Sequence, residues 1–237
     1  MKSFRSLPLV ILLGLLPALS SLSAVEAGRY LKAGDYDLAQ IIPDAPADDS
    51  LATRADLETV YQVQRRRTPE EVAVAAYFAS DNVFQYDAVL GRWFNAHNLP
   101  ETAEFFAQVQ ADRSAISGKG KALWNRRRPP QMDSRIHACI SLPTNASYPS
   151  GHSTQAFVWA NLLSEIFPEH REALLERAQL VAWSRVVGGV HYPTDIVAGR
   201  QLGERLAHDF LARPDVRAAL ASIRAEATPF LNREPAK

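Results

Sequence analysis

The sequence carries one cysteine in 237 residues, and a single thiol can form no disulfide within its own chain. The fold must therefore rest on a packed core, and the 47% of hydrophobic residues supply the material for one. An excess of charge is lacking too. The 26 basic side chains are matched by 26 acidic ones, so there is no bulk electrostatic case for a nucleic-acid partner or an anionic membrane surface. After residue 27 no apolar run reaches the roughly 20 residues that a bilayer span requires, and stable membrane insertion is not expected. Alternating stretches of the strand type, internal repeats and a composition break between two domains are likewise missing. No Gly-x-Ser-x-Gly elbow surrounds Ser150, which excludes a serine hydrolase of that type.

What is present begins with a processing signal. Lys2 and Arg5 form a basic start, Leu7 to Leu19 is apolar, and Ser20 to Ala27 is rich in small residues. That order describes a secretory signal peptide, with Val25-Glu26-Ala27 as cleavage site and Ala24 as a competitor. The expected division is a removed segment 1–27 and a single mature domain 28–237, exported to the periplasm or beyond. Residues 28–50, with Pro43, Pro46 and several aspartates, read as an irregular surface wrap. Helical periodicity then dominates, over 55–67, 84–96, 101–116, 153–167, 169–185, 194–211 and 215–225. A further helix starts at Thr68-Pro69-Glu70-Glu71, where threonine caps, proline takes the first turn and Glu71 closes a capping box. The expected fold class is all-α, a single-domain helical bundle. Cys139 lies between Ala138 and Ile140 and reads as a small buried apolar residue. Asn145-Ala146-Ser147 has the form of a glycosylation sequon and is read as loop, and His97, His137, His170 and His208 as surface or structural residues.

The chemistry concentrates in three segments. Lys121 stands six residues before Arg128-Pro129; Tyr148-Pro149-Ser150-Gly151-His152 follows; Ser184-Arg185, Gly188-Gly189, His191 and Asp195 close the set. Three cations, two imidazoles, a carboxylate and a small-residue turn suit a tetrahedral dianion such as phosphate. A phosphoryl group in transfer spreads charge over three oxygens, so the protein's work is positioning and fixed positive donors. Ser150 and the Gly151 amide sit at a helix start, where unpaired N–H groups favour an anion. Asp195, four residues after His191, can hold that imidazole's tautomer. Metal ligation is disfavoured, because lysine and arginine bind no cation. Arg126 and Arg127 read as a solvated basic face. Trp124 is either a wall of the site or core.

Together these segments resemble the three-part signature of the type 2 phosphatidic acid phosphatase superfamily, which includes bacterial non-specific acid phosphatases, lipid phosphatases, glucose-6-phosphatase and vanadium haloperoxidases. Within it the chain looks most like the class A bacterial acid phosphatases. Ile41-Ile42-Pro43 with Asp44 to Ser50 and Asp56 is similar to a degraded form of their proline-rich N-terminal region, and His191-Tyr192-Pro193-Thr194-Asp195 with Ala198-Gly199-Arg200 to their last motif. The resemblance implies the helical fold of that superfamily and hydrolysis of phosphate monoesters at acid pH, with transfer to other alcohols as a companion activity. His191 would be the nucleophile, Asp195 its partner and His152 the general acid and base. Lys121, Arg128, Ser150, Gly151 and Arg185 would hold the phosphoryl oxygens. No cofactor or metal is implied; small phosphate monoesters are the expected partners, and the chain is expected to form a homo-oligomer. Vanadate-dependent haloperoxidase chemistry in the same pocket is the alternative, and a non-catalytic phosphate-binding protein would not need both histidines. The chain departs from the pattern at Ser153, where many relatives have threonine, and at Tyr192-Pro193, which replaces an aromatic-glutamine pair.

Overall fold

A computed structural model describes residues 27–231. The signal-peptide reading falls on residues that lie, Ala27 apart, outside that range. Among the described residues the chain is helical and has no strand. The principal helices are α1 (Leu51–Arg66), α2 (Pro69–Tyr77), α3 (Asp87–Leu90), α4 (Pro100–Trp124), α5 (Pro129–Met132), α6 (Gly151–Ile166), α7 (Arg171–Val187), α8 (Pro193–Ala212) and α9 (Pro214–Leu231).

Helix α6 is the axis. Twelve of its sixteen residues are buried, which happens only when a helix is surrounded, and it packs most extensively on α7 and α8. Two glycines of α8 bring it against the α6 backbone. A Cβ at Gly199 would lie 2.6 Å from the Ser150 carbonyl oxygen, and one at Gly203 2.6 Å from that of Thr154. This contact joins the start of α6 to the start of α8, where the Ser150 amide donates to the Asp195 carbonyl (3.1 Å). Gly203→Ala must push the two helices apart, and overpacking of this kind costs about 1–3 kcal/mol. Chemical denaturation of the variant should show the loss; unchanged stability would mean the helices are free to separate.

The proline-started helix matches its expectation. Thr68 Oγ1 accepts from the Glu71 amide while Glu71 Oε2 accepts from the Thr68 amide. Other boundaries differ. Helix α1 starts at Leu51 rather than 55, because Ser50 caps it by accepting from the Thr53 amide. The expected helix over 84–96 is a 3₁₀ turn, Val83–Tyr86, and the single turn of α3. Gly91, at φ 101°, breaks it there. Helix α4 runs to Trp124 rather than stopping near Ile116, and α9 runs to Leu231.

Residues 28–50 are more than a wrap. The buried Asp112 carboxylate accepts from the amides of Gly28, Arg29, Tyr30 and Leu31, and Tyr30, Leu31, Leu38 and Ile42 enter the core. Cys139 corrects the expectation of burial: it is partly exposed.

Candidate active site

Four chain segments meet at one end of the α6–α8 pair. The last turn of α4 supplies Lys121. Asn125, in the left-handed conformation at φ 43°, turns the chain as asparagine can and sends Arg126 and Arg128 back against the 145–147 loop. Ser150 caps α6, its Oγ accepting from the Ser153 amide (3.4 Å), so Gly151 and His152 form the first turn. Gly189, at φ 74°, ends α7 just after Arg185. The chain then presents His191, and Asp195 opens α8.

These segments enclose a cavity of about 220 Å³ whose wall includes Arg113, Lys121, Arg128, Arg185, His152 and His191, with Asp81 as its acidic member. Four cationic side chains around so small a space suit an anion rather than a metal. They are braced by carbonyls. Lys121 Nζ donates to Ala146 and Pro149. Arg128 donates to the Asn145 and Val190 carbonyls and, from Nη2, to Asn145 Oδ1. Arg185 Nη1 donates to Phe78 (2.9 Å). Burial, and Arg128 beyond it, lower Lys121 to about 7, with Asp195 opposing.

His191 is buried and its Nδ1 lies 3.0 Å from Asp195 Oδ2. A carboxylate accepts, so the proton is on Nδ1 and the lone pair on Nε2. That Nε2 lies 3.3 Å from Arg128 Nη1, on the cavity side. Burial drives His191 well below the ordinary imidazole value; the bond to Asp195 opposes, and Arg128 and Lys121 add to the fall. Burial alone would raise Asp195, but His191, Arg126 and Ser147 overcome it and hold the carboxyl at about 2. The site thus keeps a neutral imidazole beside an ionised aspartate.

His152 has a different setting, with 23% of its side chain exposed. Its Nε2 lies 3.1 Å from the Ala79 carbonyl and 3.7 Å from Asp81 Oδ1. Burial lowers its pKa, Asp81 raises it and Arg185 lowers it again, for a net fall. Asp81 also pairs with Arg113 (3.1 Å), whose Nε donates to Gln155.

Of the residues singled out from the sequence, Lys121, Arg128, Gly151, His152, Arg185 and His191 line the cavity together. Asp195 stands behind His191. Ser150 does not reach the wall: its side chain is buried as the α6 cap. Asp81 and Arg113 escaped the reading, since neither lies in a motif. Ser147, whose hydroxyl donates to Asp195, and Asn145, which accepts from Arg128, lie in a loop as the sequence indicates, and their bonds to the site are not legible from it. Arg126 was read as solvated and is instead buried between Asp56 and Asp195, whereas Arg127 is exposed as expected. Trp124 leaves the choice of wall or core on the side of packing. It is half-buried against Tyr148 and bonds Asp44.

Residues 109–213 match the PAP2 superfamily, and the match contains all three motif segments. The chain therefore carries a PAP2 superfamily domain. It is 27% identical over 199 residues to a non-specific acid phosphatase of Salmonella typhimurium, covering 78% of each chain. An acid phosphatase of Zymomonas mobilis is 32% identical over 119 residues, which are 48% of this chain and 45% of that protein, so the aligned part spans less than half of that relative. Among solved structures, a bacterial vanadium-dependent iodoperoxidase aligns with a TM-score of 0.59 at 21% identity, over 77% of this chain and 54% of the other. At that identity the likeness establishes the helical fold alone.

Proposed function

We propose that the protein is an acid phosphatase that hydrolyses phosphate monoesters through a phosphohistidine. The observation that carries this reading is the His191–Asp195 pair, whose unprotonated Nε2 faces a cavity walled by Arg113, Lys121, Arg128 and Arg185. A phosphate dianion placed among these cations presents phosphorus to Nε2. Attack forms the N–P bond as the ester P–O bond breaks, and imidazolium charge is stabilised by Asp195. Protonated His152 gives its proton to the leaving oxygen. It then takes a proton from water, whose oxygen attacks phosphorus, breaks the N–P bond and releases phosphate with neutral His191. The Ala79 carbonyl holds the Nε2 proton of His152, with the Asp81 charge nearby, which leaves the other proton for transfer. Lys121, Arg128, Arg185 and the Gly151 amide hold the phosphoryl oxygens; Ser150 serves by fixing the turn.

The pH dependence follows from the same groups. His191 must be neutral, and its pKa lies well below 6.5, so it stays competent far into acid. His152 must be protonated, and its pKa is also lowered, so kcat/KM falls as pH rises through a value under 6.5; loss of charge on Lys121 near 7 steepens the fall. The optimum is acidic. Asp81 raises His152, so Asp81→Asn should move the alkaline limb to lower pH. An unmoved limb would remove His152 from the proton-donor role.

The test of the activity is release of phosphate from an aryl phosphate, repeated after prolonged chelation. Turnover should survive chelation and be inhibited competitively by vanadate. Loss in EDTA with recovery on one divalent ion would overturn the reading. Bromide oxidation by peroxide with added vanadate, in the absence of phosphatase turnover, would place the protein with the haloperoxidases instead.

Export and assembly belong to the same proposal. Among the described residues no helix is long and apolar enough to cross a membrane. Mass spectrometry should find a mature start between about Ala24 and Arg29, as the signal-peptide pattern requires. Light scattering should find more than one copy per particle; Leu180, Trp183 and Val197, exposed on α7 and α8, are apolar surface available for that contact.

A further inference from the structure

Arg126 lies outside the cavity wall, yet both terminal nitrogens of its buried guanidinium are held by side chains, Nε alone lacking a partner among the described residues. Its side chain is 1% exposed. Nη1 donates to Asp195 Oδ1 and to Thr194 Oγ1, both at 2.7 Å. Nη2 donates to Asp56 Oδ2 at 3.0 Å and to Thr53 Oγ1 at 3.2 Å. The guanidinium also stacks on the Tyr192 ring, 3.8 Å from its centroid. We propose that Arg126 is a positioning residue for the reacting histidine, gripping Asp195 from behind through a buried Asp56–Arg126–Asp195 chain.

The geometry gives Arg126 a task no neighbour performs. Asp195 Oδ2 accepts from His191 Nδ1, Ser147 Oγ and the Tyr192 amide. Among the described residues, the donor recorded for Oδ1 is Arg126. Without it one oxygen of a fully buried carboxylate loses its partner, which a buried charge does not tolerate. The carboxyl then rotates, and Nδ1 loses its fixed acceptor, or it takes a proton on Oδ1, and the charge that fixes the Nδ1 proton and stabilises the imidazolium is lost. The His191 proton is then free to move to Nε2, the atom that must attack. A planar fork is required, since Arg126 reaches two carboxylates on α1 and α8 at once; a lysine ammonium is a point charge and can serve one. Helix α1, with no residue in the cavity wall, is in this way coupled to the nucleophile.

This inference rests on the phosphatase reading, and its test separates the two. Arg126→Gln, Arg126→Lys and Asp56→Asn are assayed for kcat, KM and inhibition by inorganic phosphate, and the His191 ring is observed by ¹⁵N NMR in each free protein. For R126Q, kcat should fall on the order of 10–100-fold, the scale on which outer partners of metal-bound histidines act. KM and the phosphate inhibition constant should stay within about threefold, because Lys121, Arg128 and Arg185 are untouched. R126K and D56N should lose less. The Nδ1–H tautomer expected in the wild type should give way to a mixture. Should R126Q fail to fold, the conservative D56N carries both readouts. A kcat and a tautomer that stay at wild-type values in a less stable protein would reduce Arg126 to a structural ion pair, and a rise in KM alone would make it a ligand. Absence of turnover in the wild type would defeat the phosphatase reading, while the ring measurement would still decide the positioning.

Discussion

Replacing His191 by alanine is expected to abolish turnover on every phosphate ester, good or poor leaving group alike. The reason is geometric. His191 is the imidazole whose Nδ1 is fixed by a carboxylate and whose other nitrogen lies on the cavity side, 3.3 Å from Arg128. On the proposed mechanism no covalent intermediate forms without it, and the surrounding cations can only bind. Removing the nucleophile of a unit that acts together costs on the order of 10⁴–10⁶-fold. The variant should still bind vanadate or phosphate, because the cationic wall remains, so a binding titration beside the assay separates lost chemistry from a lost fold. Retention of more than a small fraction of activity on a nitrophenyl ester would mean that another group attacks phosphorus.

Replacing His152 by alanine should have a smaller effect that depends on the ester. Loss of a general acid typically costs about 10²–10⁴-fold. The cost should be greatest for sugar or glycerol phosphates, whose alkoxides leave poorly without a proton. A nitrophenolate leaves largely unaided, so that substrate should retain more rate. The structure adds a reason to expect the split: His152 is the more exposed histidine and the one beside a second carboxylate, Asp81. If His152→Ala were dead on all substrates and His191→Ala were spared on activated ones, the two roles would have to be exchanged.

The sequence made the site legible where its members are bound by local spacing. His191 and Asp195 are one helical turn apart, and Ser150-Gly151-His152 opens a helix, so their proximity follows from backbone geometry. The helix containing Lys121 was read as ending near Ile116. Gly118 and Gly120 weaken helix propensity, but at Gly120 the small residue answers to packing: a Cβ there would lie 2.8 Å from Pro149 Cδ. Arg126 was illegible for a different reason. In the run Arg126-Arg127-Arg128 the middle residue is exposed and its neighbours are buried, and the carboxylates that bury Arg126 come from positions 56 and 195. Asp81 and Arg113 are brought to the cavity in the same non-local way. The irregular stretch 84–96 has apolar residues at helical spacing, yet Val83, Tyr86, Leu90 and Phe94 reach the core from shorter turns. Periodicity reports which residues face inward, not how far the helix runs.

The central claim is that phosphorus is bonded to His191 during turnover, and trapping that species tests it most directly. On the proposed roles His152→Ala lacks the base that activates water, so with a nitrophenyl phosphate it should accumulate the intermediate. Rapid quenching into alkali, where a phosphoramidate survives, followed by peptide mass analysis should place one phosphate on the peptide containing His191. Phosphate on His152, or an unmodified enzyme together with inversion of configuration at phosphorus in the wild-type reaction, would contradict the account.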